Sequence, residues 1–390
     1  MNKYNFDKLT NRYNTYSAKW DEAILRNYLN VIPLSVADMD LPTAPEIINA
    51  ISKANNGIYG YTIWGTQYQQ TVANWLARHH NFHVNPKEIV HCPRVIQGIS
   101  IFLNQFTKEG DNIGIFTPSY APIMNCISLN KRCIVPCELI YQNYQYQINT
   151  EKLESCFQKI KVFILISPHN PTGIVWNKEQ LKLICQLAEK YQVFIISDEV
   201  HADFVFDTQH LVIAKLSNYV AEHSMICTSL AKTFNIPGLE ISNLVIKNEQ
   251  IRTEFQQTLI RFGFHNPNYF SIPAFYTAYT QCDQWLLELK QYIAKNKQIV
   301  ADYFSQYLPQ LKIIKTQGTY LMWINYADLA LTPAEFKQVI LQQANIELSW
   351  GEDFGQEGKY FFRLNVALPQ KALLDCLNRI HLALTTYKGD

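Results

Sequence analysis

Between residues 89 and 246, short runs rich in β-branched and apolar residues alternate with segments of helical period. That alternation predicts a mostly parallel sheet with helices on both faces, since parallel strands must be joined by crossover connections. Seven runs read as strands: Ile89–His91, Asn112–Thr117, Arg132–Cys137, Lys161–Ser167, Val193–Asp198, Met225–Ser229 and Asn243–Ile246. From Val162 to Ile166 every position is apolar, as in a strand covered on both faces. Between strands, Leu181, Ile184, Cys185, Leu187 and Ala188 recur at helical spacing within Glu179 to Tyr191, with charges on the other face. The predicted fold class is α/β, with a seven-stranded sheet and a smaller α+β lobe.

That smaller lobe is expected from the two ends of the chain. Residues 1–49 are rich in Asn and Tyr with few apolar repeats, and residues 286–390 change to helix–strand–helix patterning around Tyr320–Ile324 and Tyr360–Val366. The large domain is then 50–285. Glu288 to Leu308 lacks Gly and Pro and reads as a long amphipathic helix joining the two. With 48% hydrophobic and 17% charged residues, a disordered chain is excluded. Lys and Arg number 34 against 33 Asp and Glu, so there is no field to attract nucleic acid, and any bound anion must be held by local donors. Nine scattered cysteines form no disulfide framework and suit a reducing compartment. The opening Met1-Asn2-Lys3-Tyr4 lacks an apolar signal core, and the apolar runs fall far short of the roughly 18 residues that cross a bilayer. The expectation is a cytoplasmic protein with no membrane partner.

In an open parallel sheet, ligands sit beyond the carboxyl ends of the strands. Four predicted strand ends carry unusual polar groups: Thr117-Pro118-Ser119-Tyr120, Pro168-His169-Asn170-Pro171-Thr172-Gly173, Asp198-Glu199-Val200-His201 and Ser229-Leu230-Ala231-Lys232. Taken singly, Asn-Pro-Thr-Gly is an ordinary turn, an Asp can cap a helix and a Lys is usually solvated. An amide at 170, a carboxylate at 198 and a Ser-x-x-Lys ending at 232, all at strand ends, read together as one site. His79 and His83 have the spacing of a shared helix face, but no third ligand follows and solvated histidines near a helix end are the plainer reading. Cys133 and Cys137 fall within an alternating strand, and neither a dinucleotide fingerprint nor a Walker loop is present.

The residues at these strand ends resemble those of the fold-type I pyridoxal-phosphate enzymes, the aspartate aminotransferase superfamily. Val36-Ala37-Asp38-Met39-Asp40, Tyr59-Gly60-Tyr61-Thr62, His169 to Gly173, Ser197-Asp198-Glu199-Val200-His201 and Lys232 to Leu239 are similar to the MalY/PatB branch of cystathionine β-lyases, or C–S lyases. The likeness runs nearly the whole chain, to Phe361-Phe362-Arg363-Leu364-Asn365. It implies pyridoxal 5'-phosphate as cofactor, bonded through its aldehyde to Lys232, which then serves as the base at the substrate Cα. Asp198 would pair with the pyridine nitrogen, Asn170 would donate to the phenolate oxygen and Tyr120 would stack on the ring. Val95, Ile96 and Gln97 opening a helix, with the Ser229 hydroxyl, would hold the phosphate. Tyr61 would reach the phosphate of a neighbouring subunit in a homodimer. Arg363 would fork onto the substrate α-carboxylate, near Ala37, Asp38 and Trp64. His201 matches the branch's pattern and either contacts the cofactor or braces the Asp198 loop.

The implied activity is cleavage of L-cystathionine or another cysteine S-conjugate to thiol, pyruvate and ammonia, with Tyr120 or Tyr61 as the acid for the leaving thiolate. An aminotransferase is the alternative, because the same lysine can return the proton to the cofactor instead. The branch-like 36–40 loop, and the lack of a second arginine for a dicarboxylate side chain, favour elimination. A regulator that keeps the fold and works by binding a partner is a third reading, for which intact Asn170, Asp198, Lys232 and Arg363 would be unnecessary. Two departures from the relatives stand out: Glu240 where a basic residue usually lies near the phosphate, and Cys282 in place of Gly.

Overall fold

The computed structural model describes residues 3–25 and 30–387; Met1 and Asn2 of the opening segment lie outside them. Its main sheet has eight strands. Read across, they are Ile89–Cys92, Ser242–Val245, Ser224–Thr228, Phe194–Asp198, Val162–Ile166, Asn112–Thr117, Cys133–Gln142 and Gln145–Ile148. The five from Ser224–Thr228 to Cys133–Gln142 are mutually parallel, whereas Ser242–Val245 runs against both its neighbours. All seven expected strands are present, with ends shifted by a residue or so and Cys133–Gln142 extended.

The expected count of seven is corrected by the edge strand Gln145–Ile148, which turns back on Cys133–Gln142. Its turn residues Asn143 and Tyr144 both have positive φ, 51° and 60°, the geometry that matches strand twist in a two-residue hairpin. Only Tyr146 of Gln-Tyr-Gln-Ile is buried, so no apolar run announces it.

The pleat divides the core. Of the wholly buried strand Val162–Ile166, Phe163 and Leu165 join one apolar layer while Val162, Ile164 and Ile166 join the other. Helices cover both faces, among them Lys178–Tyr191, which buries its five predicted apolar residues and opens with a capping box between Asn177 and Gln180.

A second, antiparallel sheet orders Lys312–Ile313, Leu321–Asn325, Phe361–Asn365 and Ser349–Trp350. The joining helix is Asp283–Tyr307, beginning five residues before the expected Glu288 and directly after the buried Cys282. The N-terminal strand Ile32–Pro33 pairs with Ile346–Glu347, which lays residues 34–40 across the second sheet. Helix Thr66–His80 ends before His83, so His79 and His83 do not share a helix face. His79 instead stacks on Trp75 and faces Asp283 at 3.2 Å. No helix among the described residues is long and apolar enough to cross a membrane.

Candidate active site

The carboxyl ends of the parallel strands converge with one strand of the second sheet. Asp198 is the last residue of Phe194–Asp198, Asn170 follows Val162–Ile166, Tyr120 follows Asn112–Thr117 and Lys232 lies in the single helical turn Leu230–Thr233 after Ser224–Thr228. Arg363 comes from the opposite side, on Phe361–Asn365, in register with Trp323 and Ser349.

The Lys232 amine is half-buried and donates to the Ala37 carbonyl at 2.6 Å. Burial, together with the charge of Arg363, lowers its pKa from 10.5 to about 8. Asp198 is buried and accepts from the Val200 amide at 3.2 Å. Burial lifts its carboxyl to about 6 against the pull of that bond and of Lys232.

Arg363 is buried, donating from Nη1 to Asn170 Oδ1 at 2.8 Å and from Nη2 to the Ser35 carbonyl and Ser349 Oγ at 2.9 and 3.0 Å. Its Nε is buried without a partner among the described residues, and its guanidinium lies 4.9 Å from the Phe354 ring centre. Desolvation lowers it to about 10. The bond from Arg363 orients the Asn170 amide, so that Nδ2 is the end with protons to donate elsewhere.

A cavity of about 230 Å³ opens beside Arg363, walled by Tyr120, Val36, Ser349, Trp350 and Phe354 among others. Burial raises the Tyr120 phenol, which sits near both Arg363 and Asp198. His201 is buried edge-on to Tyr320 at 5.8 Å, with Nδ1 lacking a partner among the described residues. Burial, Lys232 and Arg363 all hold it neutral.

Loop 36–40 is clamped from two sides. Asn365 Nδ2 donates to the carbonyls of Val36 and Asp38, and Asn235, three residues after Lys232, bonds Met39 and Leu41. Ala37 thereby presents its carbonyl to both Lys232 and the Tyr320 hydroxyl. The Asp38 carboxylate is held by Arg12, at 2.7 Å from Nη2. Its neighbour Asp40 is buried beneath Arg12, Lys19 and Trp20.

Helix Val95–Phe106 starts at the same edge of the sheet. Gln97 Oε1, in its first turn, is buried without a partner among the described residues, whereas Val95 is buried and Ile96 half-buried. A side chain at Gly98 would meet Leu244 at 2.9 Å, so the helix packs directly on the sheet. Ser229 Oγ caps the Lys232 turn by accepting from Ala231 N at 3.1 Å and donates to the Ile241 carbonyl at 2.8 Å. Glu240 is ion-paired with Arg94, the residue before Val95, so its charge is matched locally.

Two predicted residues stand apart from this cluster. Tyr61 is 96% exposed. Trp64 is half-buried against Tyr68 and His91, with ring centres 6.1 and 6.2 Å away. Sequence reasoning gave no role to Ser35, Asn235 and Tyr320, whose partners lie 328, 196 and 283 positions away, nor to Ser349, which meets Arg363 from a two-residue paired strand. Asn365 had a signal, being two residues from Arg363 on the same strand face.

The chain matches the aminotransferase class I and II family over residues 30–380. It is 34% identical to cystathionine beta-lyase PatB of Bacillus subtilis, over 98% of this chain and all of that protein. Protein MalY of Escherichia coli is 30% identical over 95% of this chain and 96% of its own length. Among solved structures, cystalysin from Treponema denticola, which contains a pyridoxal 5'-phosphate cofactor, aligns with a TM-score of 0.93 at 32% identity, covering 98% of this chain and 99% of that one. With a family match spanning most of its length and a strand-end site to accompany it, this chain belongs to the aminotransferase class I and II family.

Proposed function

We propose that the protein is a pyridoxal-phosphate-dependent carbon–sulfur β-lyase that splits L-cystathionine or another cysteine S-conjugate, with water, into thiol, pyruvate and ammonia. The observation that carries this reading is the meeting, where the parallel strands end, of a low-pKa lysine amine, a buried carboxylate and a buried arginine, near enough that Arg363 and Asp198 both act on the charge of Lys232. The likeness to PatB, a cystathionine beta-lyase, supports it.

The donor set fits the cofactor. Lys232 is an amine that is partly neutral near its pKa of about 8, the first turn of Val95–Phe106 offers backbone N–H groups, and Arg363 keeps a buried Nε donor that has no partner among the described residues for the substrate's carboxylate. Lys232 would hold the aldehyde, Asp198 the ring nitrogen, Asn170 the phenolate oxygen and Tyr120 the ring face. The first turn of Val95–Phe106 and Ser229 would hold the phosphate, with His201 bracing the ring side. When bound, pyridoxal phosphate supplies an electron-poor ring that accepts the pair left as a proton departs from Cα.

The remaining work falls to side chains. Arg363, held at Nη1 and Nη2 by Asn170, Ser35 and Ser349, is oriented for a carboxylate before substrate arrives. Lys232 takes the Cα proton, which its lowered pKa permits near neutral pH. Tyr120, at the cavity wall, is the nearer proton source for the thiolate leaving Cβ. Tyr61, exposed in one chain, completes the phosphate site of a partner copy in a homodimer.

The family match favours one second reading, amino transfer. Against it, Arg363 is the only arginine or lysine among the described residues walling the cavity, which leaves no second fork for a dicarboxylate side chain. Incubation of the purified protein with L-cystathionine and pyridoxal phosphate, with and without an added keto acid, separates the two. Pyruvate release independent of the keto acid supports the lyase, whereas amino-group transfer requiring it would overturn that reading. Lys232→Ala abolishes turnover in either case.

A further inference from the structure

Behind the residues assigned to the cofactor lies a line of buried polar side chains that is absent from the cavity wall and has no part in the proposed chemistry. Thr233, next in the chain to Lys232, donates its hydroxyl proton to Asp203 Oδ2 at 2.6 Å. The other Asp203 oxygen faces His80 Nε2 at 2.9 Å, with the two side chains only 10% and 7% exposed. The His80 ring stands edge-on to His210, centres 5.5 Å apart. His210 Nε2 meets Glu199 Oε2 at 2.7 Å, and Glu199 Oε1 accepts the Ser197 hydroxyl at 2.9 Å. Ser197 and Glu199 flank Asp198 in the chain. The line thus runs from the neighbour of Lys232 to both neighbours of Asp198, by way of the last residue of helix Thr66–His80.

Ionisable groups persist inside a fold when each is paired, and here two carboxylates meet two imidazoles. Burial opposes charge on Asp203, yet its bond to His80 outweighs that and holds the carboxyl down at about 2. The same contact raises His80 against its own desolvation. Glu199, His79 and Lys290 are the other titratable neighbours of this pair, with His79 driven toward its neutral form by burial.

A pair so placed also answers a mechanical need. Leu230–Thr233 is one helical turn, too short to hold its shape through its own hydrogen bonds. Ser229 fixes its first end through Ala231 and Ile241. Thr233 fixes its last, so Lys232 is strung between two side-chain anchors. We propose that Thr233 and Asp203 are positioning residues for Lys232, with His80 clamping Asp203 against the end of helix Thr66–His80.

This inference rests on the lyase reading only for its activity measurement. The test compares Thr233→Val, which keeps the shape and removes the donor, with Thr233→Ser, which restores it, and with Asp203→Asn. Four quantities are read on the holoenzyme: kcat and KM for thiol release, the visible circular dichroism of the bound cofactor, and Tm. Thr233→Val and Asp203→Asn are expected to lower kcat about tenfold with KM within about twofold, as small misplacements of a reacting group do. Both should also change the cofactor's circular dichroism; Tm should stay within a few degrees for Thr233→Val and fall further for Asp203→Asn, which leaves His80 without its buried partner, and Thr233→Ser should return both kcat and the dichroism toward the parent. Unchanged kcat and dichroism in Thr233→Val, or a loss that Thr233→Ser fails to restore, would overturn the proposal. If the parent protein binds pyridoxal phosphate but releases no thiol, the lyase reading fails while the dichroism still decides the positioning role.

Discussion

The chemistry at Lys232 is set by which charges surround it. Burial and Arg363 disfavour the ammonium, while Asp38 and Asp198 favour it, and the balance leaves a pKa of about 8 against 10.5 for an ordinary lysine. The amine is therefore mostly protonated below pH 8 and mostly neutral above it. Its rate of capture by an added aldehyde, followed by borohydride reduction and peptide mass spectrometry, should rise through a midpoint near 8. Arg363→Gln removes a repelling cation and moves that midpoint up, whereas Asp198→Asn removes an attracting anion and moves it down; a midpoint near 10.5 in all three proteins would contradict the assignment. Glu240 illustrates a residue whose setting sequence could not disclose. Its odd charge is matched by Arg94, 146 positions earlier in the chain, and the pair is exposed on both sides. Glu240→Gln should accordingly change stability by no more than about 1 kcal/mol in a denaturant titration. Lys232, Asp198 and Asn170 were legible because each follows an apolar run that ends abruptly. Ser35 and Ser349 also steady Arg363, but Ser35 does so through its backbone carbonyl from 328 positions away and Ser349 from the short strand paired with Phe361–Asn365, neither of which a side-chain pattern announces.

At the scale of elements, loop 36–40 is the piece that joins the two sheets to the site. Asn365 grips it from the second sheet and Asn235 from the main one, so that Ala37 reaches Lys232. Beneath it Asp40 accepts from Arg12, Lys19 and Trp20, and the Lys19 side chain is 1% exposed. Removing one partner from a buried ion cluster leaves the others uncompensated, at a typical cost of about 3–5 kcal/mol. Asp40→Leu should lower unfolding stability by that amount, with a fall in activity because the loop loses its floor; a loss below about 1 kcal/mol would show that the cluster does not support the loop. The strands were readable for the same reason they are stable: a run such as Val162–Ile166, apolar on both faces, fits only between two helical layers. The edge strand Gln145–Ile148 escaped notice because its two glutamines break any apolar run and its signal lies in the positive φ of Asn143 and Tyr144, a turn built without glycine. The Asp40 cluster escaped too, since its members are spread over the first forty residues without period.

At the scale of the whole molecule, the segment around Tyr61 is the feature that a single chain does not explain. Ile58, Tyr59, Tyr61 and Ile63 are all exposed, which is unusual for so many large apolar side chains in so short a stretch and marks a surface made to be covered. Light scattering should give a mass twice the 45.3 kDa of one chain, and Ile63→Asp should shift it toward the single-chain value with loss of bound cofactor. A monomer that retains full activity would remove Tyr61 from the site. The two sheets, the joining helix and the strand-end site all serve one reaction, and one measurement addresses it directly. Purified protein carrying pyridoxal phosphate is mixed with L-cystathionine in the absence of any keto acid, and free thiol, pyruvate and ammonia are counted in the same sample. The lyase account predicts the three in equal amounts over many turnovers, none of them with Lys232→Ala. Reaction that stops after one equivalent of amino groups has passed to the cofactor would contradict it.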